Sequence, residues 1–174
     1  MIFAVVGPSG AGKDTLIAGA LAQRPDLRLV RRVITRPTGA GGEDFEGVTA
    51  QEFLLRRKRG DFALCWEAHG LSYGIPKAQV DGPGDVVFNG SRAALPLAMQ
   101  VFSTLRVILV TAPDAVLAGR LSDRGRESDR DIAARLGRAG FALPDGVAAS
   151  VVMNDGSVAE GVERLLATLQ SISG

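Results

Sequence analysis

Short apolar runs and longer amphipathic stretches alternate along almost the whole chain. Ile2-Phe3-Ala4-Val5-Val6 is an unbroken apolar run of strand length, the pattern of a strand buried on both faces. Helical spacing follows from Lys13 to about Gln23 and stops before Arg24-Pro25, and a short strand is predicted near Leu27–Val30. Farther on, a helix is predicted near Thr49–Gly60, an alternating strand through Phe62–Ala68 and a buried strand at Val86-Val87-Phe88. Next come a helix around 91–101, a buried strand at Leu105–Val110 and a helix start at Pro113. Ser122–Asp131 is polar and rich in arginine, without an apolar period, and leads into a helix over about 129–140. Val151-Val152-Met153 reads as the last strand. Ser157-x-x-Glu160 is a capping box opening a closing helix, whose Val158, Val162, Leu165, Leu166 and Leu169 recur at helical spacing.

Strands alternating with helices predict an α/β fold: a parallel sheet with helices on both faces and ligands at the carboxyl ends of the strands. One stretch breaks the rhythm. Residues 31–83, with the glycine-rich Gly39–Gly42, read as an acceptor-binding subdomain inserted into a single domain spanning 1–174. Neither a repeat nor a low-complexity linker interrupts the chain, and 174 residues suffice for one sizeable core.

Composition narrows the class. The formal net charge of +1 implies no general affinity for polyanions, so no nucleic-acid partner is expected. Of 20 basic residues 17 are arginine, whose rigid fork suits phosphate. Cys65 stands alone, which rules out an internal disulfide and suits a reducing compartment. The chain shows neither a secretory n-region nor an apolar run approaching membrane length, so it reads as a soluble cytoplasmic protein, monomeric or homodimeric, without a membrane partner.

The chemistry begins directly after the first strand. Gly7-Pro8-Ser9-Gly10-Ala11-Gly12-Lys13 has the G-x-x-x-x-G-K form of a phosphate-binding loop, placed between a strand and a helix. Glycines let successive backbone N–H groups turn inward to the phosphates, the helix N-terminus adds partial positive charge, and Lys13 reaches the β/γ oxygens. A P-loop NTPase fold that binds a nucleoside triphosphate follows. The next position usually carries Ser or Thr, whose hydroxyl sits on Mg²⁺; here Asp14 precedes Thr15. Two readings stand for Asp14: a carboxylate ligand for Mg²⁺, or a first-turn acid favoured by the helix dipole. The absence of a Cys/His cluster points to no other metal.

Over nearly its whole length the chain resembles the guanylate kinase branch of the nucleoside monophosphate kinases. The carriers are the loop, Thr35-Arg36, Gly70-Leu71-Ser72-Tyr73-Gly74, Arg124-Gly125-Arg126-Glu127-Ser128, Ile132-x-x-Arg135 and Val152-x-Asn154-Asp155. The resemblance implies that Arg36 and Tyr73 hold the acceptor phosphate and that 122–131 forms an arginine-rich lid. It also implies that Arg120, Arg124 and Arg135 clamp the transferring phosphoryl group and that Asn154 lies near adenine. Arg120 reads equally well as part of a solvated helix face.

The departures from that branch are informative. Guanine is read there by a glutamate and a tyrosine after the Thr-Arg, and by an aspartate at the end of the next strand. Here the first segment is short and glycine-rich, running Pro37 to Phe45 with Phe45 in the tyrosine position, and the strand-end residue is Asn89. A site without those base contacts discriminates poorly for guanine. Gly-Lys-Asp-Thr, Val-Ile-Thr-Arg-Pro, Ala-His-Gly-Leu-x-Tyr-Gly-Ile-Pro and Asn-Gly-Ser-Arg instead resemble the ribose 1,5-bisphosphate phosphokinase family of phosphonate catabolism. That resemblance implies phosphorylation of the 1-phosphate of ribose 1,5-bisphosphate by ATP, giving 5-phosphoribosyl 1-diphosphate. Asn89 is then expected on the acceptor side, and Arg92, which follows the strand end where acceptors bind, is the favoured candidate for the extra phosphate. Arg31 and Arg32 read either as ligands of the extra phosphate or as surface charges. His69 reads as structural or substrate-lining, and one of Trp66 and Glu67 should face the cleft. Two alternatives share the frame: a nucleoside monophosphate kinase with altered base preference, and a noncatalytic guanylate-kinase-like binding module.

Overall fold

The computed structural model describes residues 1–37, 43–123 and 142–173. In chain order its elements are β1 (Ile2–Val6), α1 (Lys13–Gln23), β2 (Arg28–Leu29), β3 (Val33–Ile34), β4 (Glu46–Gly47), α2 (Ala50–Arg59), β5 (Phe62–Ala68) and β6 (Leu71–Pro76). They continue with α3 (Lys77–Val80), β7 (Val86–Asn89), a 3-10 turn at Arg92–Ala94, α4 (Leu95–Val101), β8 (Leu105–Thr111), α5 (Asp114–Asp123), β9 (Ser150–Met153) and α6 (Val158–Ser173). The helix expected over about 129–140 lies outside the described residues.

Five strands form a parallel sheet in the order β2-β7-β1-β8-β9, with β1 at its centre. Successive residues of β1 point to opposite faces, as the pleat requires. Phe3 and Val5 enter a core with Leu16 and Ile17 of α1, Val110 of β8, and Leu165 and Leu169 of α6. Ala4 and Val6 enter a second core with Phe88, Leu95 and Ala98, which also takes in Leu64, Trp66 and Ile75. Both faces of β1 are therefore dry, which is why its run is uniformly apolar rather than alternating. Helices cover the first face; on the second, α4 shares the cover with β5 and β6 of the other sheet.

That other sheet has the order β4-β3-β6-β5 and is built within the stretch that broke the strand–helix rhythm. β5 and β6 form an antiparallel hairpin in which Ala68 pairs with Leu71. Only His69 and Gly70 separate them, with φ of 52° and 73°. A two-residue turn needs positive φ at both positions to match the strand twist, so His69 is held by its backbone in a conformation few side chains adopt. Helix α2 is polar over most of its surface and anchors to this sheet by Phe53, whose ring stacks on Phe62 at 4.8 Å between centroids.

The capping box forms as the spacing requires. The Ser157 N–H donates to Glu160 Oε2 at 2.7 Å, and the Glu160 N–H donates to Ser157 Oγ at 3.3 Å. The Ser157 backbone N–H, and then its hydroxyl, hold the Glu160 carboxyl below the ordinary carboxylate range. A depressed carboxyl pKa contributes stability that is present above the unfolded value and lost as pH falls through the folded one. The first turn of α6 should therefore fray on acidification below about pH 4, and Glu160→Gln should flatten that part of the acid-unfolding curve. Circular dichroism against pH for both proteins checks this; superimposable acid limbs would show that the box is not the source.

Candidate active site

The loop between β1 and α1 lies at the carboxyl end of the central strand. Glycine is required at its start by close approach: a Cβ on Gly7 would stand 1.9 Å from the Val110 carbonyl oxygen of β8. Gly12 closes the loop at φ 87°, where a Cβ would meet Asn154 Nδ2 at 2.6 Å. Between them the Ala11 N–H donates to the Pro8 carbonyl at 3.2 Å, fixing the turn. Lys13 folds over the loop, donating from Nζ to the carbonyls of Gly7 at 2.9 Å and Pro8 at 3.1 Å. The ammonium is thus held against the loop backbone.

Two residues from the far end of the chain brace this loop. Asn154, buried after β9, donates from Nδ2 to the Ala11 carbonyl at 2.7 Å. Arg120 of α5 donates to the Asn154 carbonyl at 3.0 Å and to the Gly10 carbonyl at 3.5 Å. Arg120 is therefore bound to the loop and does not sit on an open helix face. The exposed Asp14 carboxylate accepts a hydrogen bond from Asn89 Nδ2, joining the first turn of α1 to the end of β7. Thr15 is exposed beside it.

A cavity of about 870 Å³ opens over the loop and extends to the second sheet. Gly7, Pro8, Ser9 and Lys13 line it from the loop, Asn89 and Arg92 from the end of β7 and the turn after it, and Arg32 and Tyr73 from the stretch that builds the second sheet. Trp66, Glu67 and His69 of the hairpin also line it, Trp66 from the buried face of β5 and Glu67 from its exposed face. Trp66 stacks on Tyr73, with ring centroids 5.2 Å apart and planes within 8°. Leu117 and Leu121 of α5 complete the lining near the loop, an apolar contribution that sequence spacing did not single out.

The neighbouring arginines divide. Arg31 is exposed and pairs with Asp44 at 2.9 Å, as a surface charge does. Arg32 is buried, and Glu43 accepts from both its Nε, at 2.8 Å, and its Nη2, at 2.5 Å. Arg36 lies over the Phe45 ring at 4.3 Å, its Nε buried and without a hydrogen-bond partner. Arg36 is not among the residues lining the cavity, nor are Gly10, Ala11, Gly12, Asp14, Thr15, Arg120 and Asn154. Arg124, Arg135 and most of the 122–131 lid stretch lie outside the described residues.

Comparison with known proteins places this geometry. No family model matches the chain. It is 45% identical to ribose 1,5-bisphosphate phosphokinase PhnN of Ruegeria sp. (strain TM1040), over 98% of this chain and 92% of that protein. The corresponding protein of Rhizobium etli (strain CIAT 652) is 46% identical over 97% of this chain and 88% of its own length. A bifunctional ribose 1,5-bisphosphokinase-thymidine phosphorylase of Cupriavidus necator is 44% identical over 97% of this chain, which spans only 29% of that longer protein. Among solved structures, a guanylate kinase from Anaplasma phagocytophilum superposes with a TM-score of 0.70 at 20% identity, covering 98% of this chain and 85% of that one. A gluconokinase from Sinorhizobium meliloti gives 0.55 at 17% identity. These structures share the fold of a guanylate-kinase-like P-loop protein. With a phosphate loop, an adjoining cleft and full-length relatives at close to half identity, the chain belongs to the ribose 1,5-bisphosphate phosphokinase family.

Proposed function

We propose that this chain transfers the γ-phosphoryl group of ATP to the 1-phosphate of ribose 1,5-bisphosphate, giving 5-phospho-α-D-ribose 1-diphosphate and ADP. The geometric observation that carries this reading is the single cavity joining the Lys13 loop to Arg32 and Arg92. Donor and acceptor phosphates can meet there. The relatives' shared name supports the choice of acceptor.

In this reaction an oxygen of the acceptor 1-phosphate forms a bond to the γ-phosphorus as the bond from that phosphorus to the β–γ bridging oxygen breaks. The bonding electrons leave with ADP. Because the attacking oxygen is already anionic, no general base is needed, and the protein's contribution is positioning and charge neutralisation. Lys13 and the N–H groups of the loop take charge from the β/γ oxygens. Asn89, Arg92 and Tyr73 contact the acceptor from the cavity lining, Arg36, over the Phe45 ring, lies outside that lining, and the second sheet serves as the acceptor-binding part of the domain. The clamping roles of Arg124 and Arg135, and the lid over 122–131, belong to the same proposal and rest on the sequence.

Asp14 is the residue that would hold Mg²⁺: its exposed carboxylate, a hard oxygen donor in the first turn of α1, accepts from Asn89 and lies outside the cavity lining. When bound, the ion would neutralise charge on the β/γ oxygens. An ADP-release assay with Mg-ATP, run in parallel on ribose 1,5-bisphosphate and GMP, tests the assignment. Turnover of the sugar bisphosphate alone is the expected result. Turnover of GMP alone would make the chain a divergent guanylate kinase, and turnover of neither would favour a binding module.

A further inference from the structure

We infer that Arg32 is the specificity-determining anchor for the second phosphate of the acceptor, the one that takes no part in transfer; this rests on the proposed acceptor. Arg32 is buried yet lines the cavity, so its burial lies beneath the ligand site and not in the dry core. Its guanidinium is fixed on two sides. Glu43 takes the Nε–Nη2 edge as a bidentate carboxylate, and the Tyr73 ring lies below, 5.3 Å from Cζ to centroid. Tyr73 is itself held by the stacked Trp66.

A guanidinium has five N–H donors, and this arrangement uses one edge of the fork. The two Nη1 donors make no hydrogen bond to a described residue, and Nη1 is not among the buried unpartnered atoms, so it is open to the cavity. Arg32 therefore presents a prealigned pair of donors, with the entropy of ordering the side chain already met by Glu43 and Tyr73. Among the described lining residues the fixed charges are Lys13, Arg32, Arg92 and the rim carboxylate Glu67, a balance that suits an anion. Lys13 and the loop must hold the transferring end. Arg32 lines the same cavity from the stretch that builds the second sheet, as a buried cation apart from the loop, and it is there that the second phosphate of the same small sugar is assigned.

The test compares ribose 1,5-bisphosphate with ribose 1-phosphate, which lacks the second phosphate, in wild type, Arg32→Gln and Arg32→Lys. Arg32→Lys keeps the charge but not the fork, and serves if the glutamine variant does not fold. The ratio of kcat/KM for the bisphosphate over the monophosphate should fall on the order of 10- to 100-fold in the variants, the effect of losing hydrogen bonds to a charged group. A merely structural role would lower both values together and keep the wild-type ratio, which would overturn the inference. Calorimetry with ribose 5-phosphate, carrying only the distal phosphate, separates this from the function itself. If wild type turns over neither sugar, the proposed reaction fails. Ribose 5-phosphate binding that weakens in the variants would still support an anion site at Arg32. Equal binding in the variants, or none to wild type, would overturn it.

Discussion

Replacing Lys13 with alanine should lower kcat by about 10³-fold or more while leaving the thermal midpoint close to that of wild type. The side chain is half-buried above the loop, and its ammonium contacts the carbonyls of Gly7 and Pro8 without reaching into the core. Removing it takes away a positive charge at the point where the β/γ oxygens gather charge in the transition state, and little packing is lost. Lys13→Arg should not rescue turnover, because the planar fork cannot occupy the space of a point charge between two carbonyls and a phosphate. Kinetics on the folded variants, with melting curves alongside, decide the matter. Turnover within tenfold of wild type would remove Lys13 from the transfer step.

Gly7→Ala should damage both stability and activity. The added methyl would stand 1.9 Å from the Val110 carbonyl oxygen, a backbone atom of β8 held between β1 and β9 that cannot move aside as a flexible side chain could. The loop must lift away from β8, and the N–H groups that line its inner surface move with it. A loss of roughly 2–4 kcal/mol is expected, within the range for steric faults at special backbone positions. For a domain of this length that corresponds to a fall in Tm of roughly 5–15 °C. Nucleotide affinity should fall with it, measured by displacement of a fluorescent ATP analogue. A variant that melts and binds like wild type would show that the loop tolerates a side chain at its first position.

The elements whose signals are local were readable along the chain. The uniformly apolar β1, the Thr49-to-Gly60 limits of α2, the alternating β5 and the Ser157–Glu160 box each depend on neighbours within a few residues. Periodicity and caps report such contacts directly. The phosphate loop was readable for the same reason, since its glycines answer to the turn they make. His69 shows the limit of that kind of reading. As the chain's sole histidine it tempts a catalytic assignment against a structural or substrate-lining one, and the tertiary structure makes it a positive-φ turn residue that lines the cavity.

Partnerships across the chain were not readable. Asp14 and Asn89 lie 75 positions apart, and Asn154 reaches Ala11 across 143. Strand order brings these pairs together, because β7 lies directly beside β1 and the segment after β9 returns beneath the loop. Arg31 and Arg32 looked alike in the sequence. One faces solvent and pairs with Asp44, the other turns inward to Glu43 and Tyr73, and which does which depends on how the chain enters β3 against β6. Local patterning thus settled the kind of element, the phosphate loop and the class of chemistry. The brace under the loop, the wall of the acceptor cavity and the choice between adjacent arginines required the packed sheets, since non-local hydrogen bonds and burial arise only when strand order sets remote residues face to face.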